Sequence, residues 1–410
     1  VNMSADAENE YFSDGISEEL LNVLVRVSEL EVASRTSSFA YKGKDLPLSQ
    51  VAQELGVAHI LEGSVRKAGN RVRITAQLID AGSDRHLWSD TYERELDDIF
   101  DIQEEISNHI VEELKIALDV SEAEDMARAQ RPTDNAEAYE LYLQGRFKWR
   151  QRLEENLRSA ITLFEQAIEL DPNFAKAHEA LAVTHMVLPS WSAVPLDEAI
   201  EEAIVHAERA LAIDPRLAEA RAVMAEVAAR NLEWGKALDQ YEAALEYEPR
   251  NASIHRWYAE SLSDAGYLEE SLQSIERAYQ LDPASPVINN VYTYIADSLG
   301  EDELAIRRMK TAIDLGIEFA VFNAFGALRR QGELEFIEKH AVPVLDQNGL
   351  GIRCLRARQD PANIPEARQL IEAIEPDASI GGAGRNTYCS AVIGRFDLAF
   401  RWLDAELSQD

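Results

Sequence analysis

The residues that could carry chemistry are scattered along the chain and match no familiar catalytic or metal-binding spacing. The chain has eight histidines. His178 and His185 are seven residues apart, which would place them on one face of a helix, but no neighbouring carboxylate completes a known ligand pattern. We therefore expect these two histidines to pack in a core or a groove, and we expect no bound metal.

The other reactive groups also match no catalytic or metal-binding pattern. Cys354 and Cys389 are too few for a disulfide framework or a zinc site, and they either pair or pack as small core residues. The Gly-Gly-Ala-Gly stretch at 381–384 lacks the Lys-Ser/Thr ending and the preceding strand of a phosphate loop. Nucleophile elbows and paired catalytic carboxylates are not visible either. The sequence predicts a protein that is not an enzyme and that needs no cofactor.

The charge balance restricts the class of partner. The chain carries 74 Asp and Glu against 40 Lys and Arg, a net charge of −34. Such a surface repels nucleic acid and anionic lipid, so we expect neither partner, and it favours basic partners unless it is only a solvated surface. No apolar run of about 18 residues is present, so we expect no insertion into a membrane. The opening Val1-Asn2-Met3 is unlike a natural start and suggests a fragment of a longer protein.

Four prolines mark an internal repeat. Pro215, Pro249 and Pro283 are spaced 34 residues apart, and Pro172 precedes Pro215 by 43, which is 34 plus an insertion of nine. An acidic residue stands before each proline. Since proline cannot continue a helix, each of these dipeptides should follow the end of one. The insertion, at 187–195, contains Trp191, which either contacts a partner or caps the local core.

Small and large residues keep the same period. Ala237, Tyr241 and Ala244 precede Pro249 by 12, 8 and 5 residues, and the small residues would allow two antiparallel helices to approach closely. The same steps recur as Ala160, Phe164 and Ala167; as Ala203, Ala207 and Ala210; as Ser271, Ile275 and Ala278; and as Ala305, Met309 and Ala312. A 34-residue helix–turn–helix unit with this pattern resembles the tetratricopeptide repeat. We expect five units, at 138–174, 175–217, 218–251, 252–285 and 286–319, and degenerate helical repeats or a cap at 320–410.

The resemblance implies an all-α superhelix whose concave face is lined by the first helix of each unit. The repeat phase predicts eight concave-face residues, most of them acidic: Glu179, Glu219, Glu226, Arg256, Glu260, Asn290, Tyr294 and Asp297. We hypothesise a groove for a protein or peptide partner, basic or helical in character. The alternative is that these positions are merely solvated and that the convex face or the ends bind the partner.

Residues 1–118 predict an α+β domain. A helix is expected at 18–27 with Ser17 as its cap, followed by a short strand at 31–34 and a helix at 48–55 closed by Gly56. Three strands at 57–67, 71–80 and 85–93 and a helix at 97–118 complete the domain, and an acidic linker is expected at 119–137. The basic residues Arg66, Lys67, Arg71 and Arg73 surround the first hairpin. They either dock onto acidic repeats or protect a solvated edge.

Several stretches of this domain resemble a known family. They are Tyr11-Phe12-Ser13-Asp14-Gly15-Ile16-Ser17-Glu18-Glu19-Leu20, Leu61-Glu62-Gly63-Ser64-Val65-Arg66, Arg71-Val72-Arg73-Ile74-Thr75-Ala76-Gln77-Leu78 and His86-Leu87-Trp88. Residues 1–118 resemble the TolB amino-terminal-like domain that precedes tetratricopeptide repeats in many bacterial signalling proteins. The resemblance implies a mixed sheet with helices, whose first strand, placed by the family just before Val1, is missing here.

The resemblance also implies a role. In the family this pair of modules follows an output domain and a membrane helix, and the output is a CadC-type winged helix, a class III nucleotide cyclase or a Ser/Thr kinase. We therefore expect a periplasmic sensory region of a membrane-anchored protein, with a cytoplasmic location as the alternative, and we leave open a homodimer. The regulatory half of a cyclase and a stand-alone envelope scaffold are the competing interpretations.

Overall fold

The computed structural model describes residues 2–4, 9–25, 30–44, 46–118 and 132–333, together with a few isolated positions beyond them. It divides into one unit spanning Val1–Ala284 and a second spanning Ser285–Asp410. Both cysteines and the 381–384 stretch lie outside the described residues. So do most of the predicted linker at 119–137 and, isolated positions apart, the predicted helices at 334–340, 361–373 and 386–407.

A three-stranded antiparallel sheet forms the predicted hairpins. Its order is β1 (His59–Ala68), β2 (Arg71–Asp80) and β3 (Arg85–Glu95). Residues 2–4 run along the outer edge of β1, where Asn2 forms a parallel bridge with Val65 and the Met3 amide donates to the Val65 carbonyl at 2.8 Å. The three strands are antiparallel, so the mixed sheet implied by the resemblance is reduced to this one isolated parallel bridge, and the extended segment covers part of the outer edge of β1.

Alternate residues of β2 build one side of the core. Val72, Ile74, Ala76 and Leu78 are buried against the helices. Three helices precede the sheet, α1 (Glu10–Val25), α2 (Arg35–Phe39) and α3 (Leu48–Leu55), and α4 (Ile99–Leu118) follows it. Helix α4 presents buried isoleucines at helical spacing, and α3 ends as predicted at Gly56 with a φ of 67°.

Two details of this part differ from the prediction. Helix α1 begins at Glu10, because Phe12 and Ile16 extend the buried face of Leu20 toward the amino terminus. Ser17 is therefore not a cap: its hydroxyl donates to the Ser13 carbonyl at 2.9 Å, inside the helix. The predicted strand at 31–34 is also wrong. These residues pair with no strand, because Ser34 caps α2 instead, its Oγ accepting from the Ser37 amide at 3.0 Å.

Four antiparallel helix pairs follow within the first unit. They are α5 (Ala136–Arg150) with α6 (Glu154–Leu170), α7 (Ala175–Val187) with α8 (Leu196–Ile213), α9 (Ala218–Arg230) with α10 (Trp234–Tyr247), and α11 (Ala252–Asp264) with α12 (Leu268–Leu281). Each of the four prolines stands two residues beyond the end of a second helix. The small positions predicted from the period are fully buried. Trp191, in the insertion, is 44% exposed.

The second unit continues the period with α13 (Pro286–Leu299) and α14 (Asp302–Asp314), then the shorter α15 (Ala320–Asn323) and α16 (Phe325–Arg330). Gly300 ends α13 in the left-handed region, with a φ of 78°. Met309, Ala312 and Val321 belong to a buried cluster of this unit. The α+β part and the helical repeats match the predicted fold class. No helix among the described residues combines the length and apolar character needed to cross a bilayer.

A single core joins the α+β part of the first unit to the first repeat. Phe12 and Ile16 of α1 belong to the same buried cluster as Tyr139 and Leu143 of α5. A Cβ atom on Gly15 would lie 2.8 Å from Leu143 Cδ2, so α1 and α5 approach closely where α1 has no side chain. Helix α1 is therefore docked directly onto the repeats.

Gly63→Ala tests the packing of the sheet. A Cβ atom at this position of β1 would lie 2.4 Å from the Thr75 carbonyl oxygen of β2, which cannot move without distorting the ladder. We expect the free energy of unfolding to fall by about 1–3 kcal/mol. Urea unfolding followed by circular dichroism measures it.

Gly235→Ala is the matched control, because nothing lies within 4 Å of a Cβ atom there and the residue is helical. Alanine should leave stability unchanged or raise it by up to about 1 kcal/mol. Equal midpoints for wild type and Gly63→Ala would contradict the packing described for β1 and β2.

Candidate functional site: the first-helix face of the repeats

The candidate site is the surface formed by side chains of α5, α7, α9 and α11, the first helices of the four pairs, here called the first-helix face. Its centre is the carboxylate of Glu18, which α1 carries onto α5 and whose side chain is only 8% exposed. Oε1 accepts from Arg146 Nη2 at 3.0 Å, Arg35 Nε lies 3.3 Å from Oε2, and Arg150 pairs with the same carboxylate. Three guanidinium groups thus share one negative charge.

The segment between α1 and α3 is also fixed to the repeats. Arg250, just before α11, donates to the Leu30 carbonyl. Ser34 Oγ donates to Asp282 Oδ1, just after α12, at 2.8 Å. The Arg35 guanidinium lies over the Phe39 ring, 3.9 Å from its centroid. The amino-terminal part of the chain therefore contacts the loops before α11 and after α12, in addition to α5.

The predicted groove residue Glu179 is buried rather than presented to solvent. It is 6% exposed, and its Oε1 accepts from the Ala220 amide at 3.2 Å. Burial raises the pKa of Glu179 to about 8, while the positive charge of Lys176 opposes the rise and Glu219 adds to it. This carboxyl therefore contributes little negative charge to the face at neutral pH.

The other predicted residues of the first unit are also engaged. Glu226 accepts from the Tyr241 hydroxyl and from Ser261 Oγ, the latter at 3.4 Å. Glu219 lies 3.8 Å from Arg146, and Arg256 pairs with Glu260 along α11. Burial raises the pKa of Glu260 to about 7, with Arg256 opposing the rise. The acidic character read from the sequence is thus largely offset by neighbouring groups.

The three remaining predicted residues belong to the second unit and connect its helices. Asn290 Oδ1 accepts from Asn323 Nδ2 at 2.8 Å. Asp297 accepts from the Gly326 amide at 3.2 Å and pairs with Arg330 at 2.7 Å. The backbone oxygen of Tyr294 accepts from Ser298 Oγ at 2.8 Å. The Asn290 and Asp297 contacts join α13 to the short helices that follow it.

Arginines at the end of α5 are the residues that the repeat phase did not predict. The guanidinium carbon of Arg152 lies over the Trp149 ring, 3.7 Å from its centroid. Burial lowers the pKa of Arg152 to about 10, and the charges of Arg256 and Arg146 lower it further. Burial likewise lowers the pKa values of Arg150 and Arg35 to about 10, although Asp14 acts in the opposite direction on both. In the sequence, Arg146, Arg150 and Arg152 stand close together around Trp149, and this cluster is the signal from which these residues could have been predicted.

One member of the basic hairpin docks onto the repeats. Lys67 pairs with Glu140 of α5, to which the Tyr11 hydroxyl also donates. Its neighbours stay within the α+β part: Arg71 pairs with Glu93 at 2.9 Å, and Arg66 Nε donates to the Met3 carbonyl at 3.1 Å. The hairpin therefore helps to fix the α+β part against the first repeat.

Three histidines meet between α7 and α8. Nδ1 atoms of His178 and His206 are 3.1 Å apart, and the rings of His185 and His206 are nearly parallel with centroids 6.2 Å apart. Burial lowers the pKa of each of the three. Within the described ranges, no group of three or more His, Cys, Asp or Glu side chains is arranged to hold a metal ion.

Comparisons with known proteins identify the repeats. Residues 222–286 match the family model of the tetratricopeptide repeat, which confirms the repeat type predicted from the 34-residue period. A curated relative named Putative adenylate cyclase 3, from Rhizobium meliloti (strain 1021), is 43% identical over 182 residues, which are 44% of this chain and 31% of that protein. The chain thus spans about a third of the length of that relative.

Two solved structures are similar to part of the chain. A thermophilic tetratricopeptide repeat protein of Thermus thermophilus, TTC0263, covers 47% of this chain and 98% of its own, with 19% identity and a TM-score of 0.39. The pilF protein of Pseudomonas aeruginosa covers 52% of this chain and 92% of its own, with 16% identity and a TM-score of 0.40.

Glu18→Gln tests the central carboxylate. The substitution keeps the shape but leaves Arg35, Arg146 and Arg150 without their shared counter-charge. We expect the free energy of unfolding to fall by about 3–5 kcal/mol, the usual loss when one partner of a buried ion pair is removed. The control is Glu154→Gln, whose exposed pair with Arg158 should contribute about 0–1 kcal/mol. Similar losses for the two variants in urea unfolding would refute a central role for Glu18.

Glu179→Gln tests the raised pKa. Because the pKa in the folded state lies above the ordinary value, the contribution of protonated Glu179 is present below about pH 4.5 and is lost as pH rises through about 8. The glutamine variant cannot ionise, so its stability relative to wild type should improve between pH 5 and pH 9, by more than about 1 kcal/mol. Glu208→Gln, exposed on α8, serves as the control. An unchanged difference between the two pH values would contradict the assignment.

Proposed function

We propose that this chain is the protein-interaction and sensory region of a bacterial signalling protein, and that it is not itself catalytic. The observation that carries the proposal is the first-helix face: tetratricopeptide repeats present a row of charged and aromatic side chains, partly covered by the chain's own α1 and the residues after it. Solenoid repeats use such extended surfaces to bind proteins and peptides.

The output activity of the proposed protein is cyclic nucleotide synthesis. Support comes from the relative named as an adenylate cyclase, of which this chain matches less than a third. A cyclase core would lie on a part of the protein outside these 410 residues. Of the three outputs that accompany this pair of modules in the resembled family, the cyclase is the one that a relative's name supports, ahead of a winged helix or a Ser/Thr kinase. The same relative favours the cyclase over a stand-alone envelope scaffold.

The α+β part has a defined place in this proposal. Its resemblance to the TolB amino-terminal-like domain and its shared core with α5 make it the element through which a change at the repeats reaches the rest of the protein. A partner that displaces the residues after α1 would break the Arg250–Leu30 and Ser34–Asp282 contacts. The proposal also places this region in the periplasm and leaves room for a homodimer.

The structure gives less support to a basic partner than the sequence does. The sequence predicts a basic ligand because acidic residues dominate the predicted face. Glu179 is buried with a raised pKa, Glu226 accepts two hydrogen bonds, and Glu260 pairs with Arg256. These contacts leave little free negative charge on the predicted face, so we expect it to attract a basic ligand only weakly.

Site-directed photo-crosslinking in cells that make the longer natural product tests the interaction. A photoreactive phenylalanine analogue at Glu260, on α11, should yield a covalent adduct with a second protein. The same group at Glu246, exposed on α10, should not. Adducts at both positions, or at neither, would contradict binding through the first-helix face.

Cyclic AMP formation is measured in a separate experiment. The purified 410-residue chain should convert no ATP, whereas the longer product should form cyclic AMP. Product formation by the shorter chain would refute the non-catalytic assignment, and an inactive longer product would refute the cyclase output.

A further inference from the structure

Each helix pair of the first unit exposes a large apolar side chain at the turn between its two helices. Because consecutive helices of the array are antiparallel and joined by short loops, these four turns lie at one end of the stack, here called the turn edge. The side chains are between 44% and 71% exposed, and they are Leu153, Trp191, Leu232 and Tyr267. At the opposite end two of the four pairs, those finishing at Leu170 and Tyr247, expose such a residue. The turn edge therefore carries one accessible apolar group per repeat.

Leu232 has a backbone conformation that favours glycine. Its φ is 59°, and one and two periods later the same position holds Gly266 and Gly300, with φ values of 91° and 78°. All three residues end a helix with the same hydrogen bonds. The Leu232 amide donates to the Ala229 carbonyl at 2.9 Å, and the next amide donates five residues back. Because a Cβ atom is unfavourable in the left-handed region, leucine is less stable here than glycine.

The Leu232 side chain recovers little of this strain by packing. It is 71% exposed and contacts neither of the buried clusters formed by α9 and α10. A strained backbone that carries an exposed apolar side chain indicates a contact outside the chain, because it does not stabilise the fold. Trp191 adds an exposed indole at the preceding turn, and tryptophan is common at the centre of protein interfaces.

The spacing of the turn edge matches that of a helix. The first helices of neighbouring pairs contact one another, α5 with α7, α7 with α9, and α9 with α11. Packed helices lie about 8–10 Å apart, so successive apolar residues are separated by about this distance. An α-helix advances about 10 Å in seven residues. A helical segment of about 20 residues, with apolar side chains repeating every two turns, would therefore reach all four positions.

The charge of the turn edge favours a basic occupant. The turns and the first four residues of the second helices, 150–157, 187–199, 230–237 and 264–271, contain eight carboxylates and four cations. Two of the cations are already paired, Arg150 with Glu18 and Lys236 with Glu233. Five exposed carboxylates have no ion-pair partner in the described part of the chain, namely Glu155, Asp197, Glu198, Glu269 and Glu270. Cations on a partner would gain from this field.

We propose that the turn edge binds a basic amphipathic helix of a partner protein. Leu232 and Trp191 contact its apolar face, and its lysines or arginines lie beside the exposed carboxylates of the second helices. The inference goes beyond the proposed function, since it concerns the turns and not the first-helix face. It keeps the basic partner expected from the charge of the chain and assigns it to a different surface.

Three synthetic helical peptides of about 20 residues are the probes. The first carries a leucine face flanked by lysines, the second has glutamates in place of the lysines, and the third is a scrambled sequence of the first. In fluorescence anisotropy with the 410-residue chain, the first peptide should bind about tenfold or more tightly than the other two. Its affinity should fall as salt is added, because part of the attraction is electrostatic.

Leu232→Gly separates binding from folding. Glycine accepts the left-handed conformation, so the urea midpoint should stay unchanged or rise, while affinity for the basic peptide falls about fivefold or more. Trp191→Ser should weaken binding to a similar extent. The matched control is Val205→Ala, in the middle of α8, where the side chain is 59% exposed. This control should change affinity by less than about twofold.

Equal binding of the three peptides, binding of none, or equal affinity of wild type and Leu232→Gly would each overturn the inference. So would a lower urea midpoint for Leu232→Gly, which would make Leu232 a packing residue. Phosphatidylcholine vesicles that bind wild type but not Leu232→Gly, or a dimer that this variant dissociates, would assign the turn edge to a membrane or to a second copy instead. Photo-crosslinking at Glu260 reports on the first-helix face, so either proposal can fail while the other stands.

Discussion

The carboxylate of Glu18 is the contact on which the arrangement of the first unit depends. It lies on α1, packed beneath the sheet and α4, and it pairs with two arginines of the first repeat and one of the connecting segment. The apolar contacts of Phe12, Ile16 and Leu143 bring α1 to α5, but they carry no direction. Charged hydrogen bonds are directional, and those of Glu18 fix the orientation of α1 on the first repeat.

The position of α1 has a consequence for the repeats. The first-helix face, usually the open surface of such an array, is here in contact with residues of the same chain. Arg250 and Asp282, two helices apart in the array, both bind the stretch between Leu30 and Ser34. Any partner of this face therefore meets a surface that the amino-terminal part has already shaped. A change at the repeats can reach the α+β part through this contact because the two parts share one core.

The same packing changes the electrostatics of a very acidic protein. Of its 74 acidic residues, those predicted to line the groove are buried, paired or hydrogen-bonded, and burial raises the pKa values of Glu179 and Glu260 toward neutrality. Arginines concentrate at the end of α5, where Trp149 supports one of them. A strongly negative total thus coexists with a local concentration of arginines, because local charge depends on which side chains packing brings together.

Much of the fold could be predicted from the sequence by local rules of helix and strand formation. The proline period and the alternation of Ala237, Tyr241 and Ala244 predicted the helix pairs, because close helix packing requires small residues at a fixed spacing. The strands expected at 57–67 and 71–80 form the hairpin of β1 and β2, which is an equally local prediction. Tertiary structure alone decided that Ser34 caps a helix and reaches Asp282, that Glu179 is buried, and that Glu18 meets three arginines. These contacts join residues far apart in the chain, and neither periodicity nor composition encodes which distant charges become neighbours.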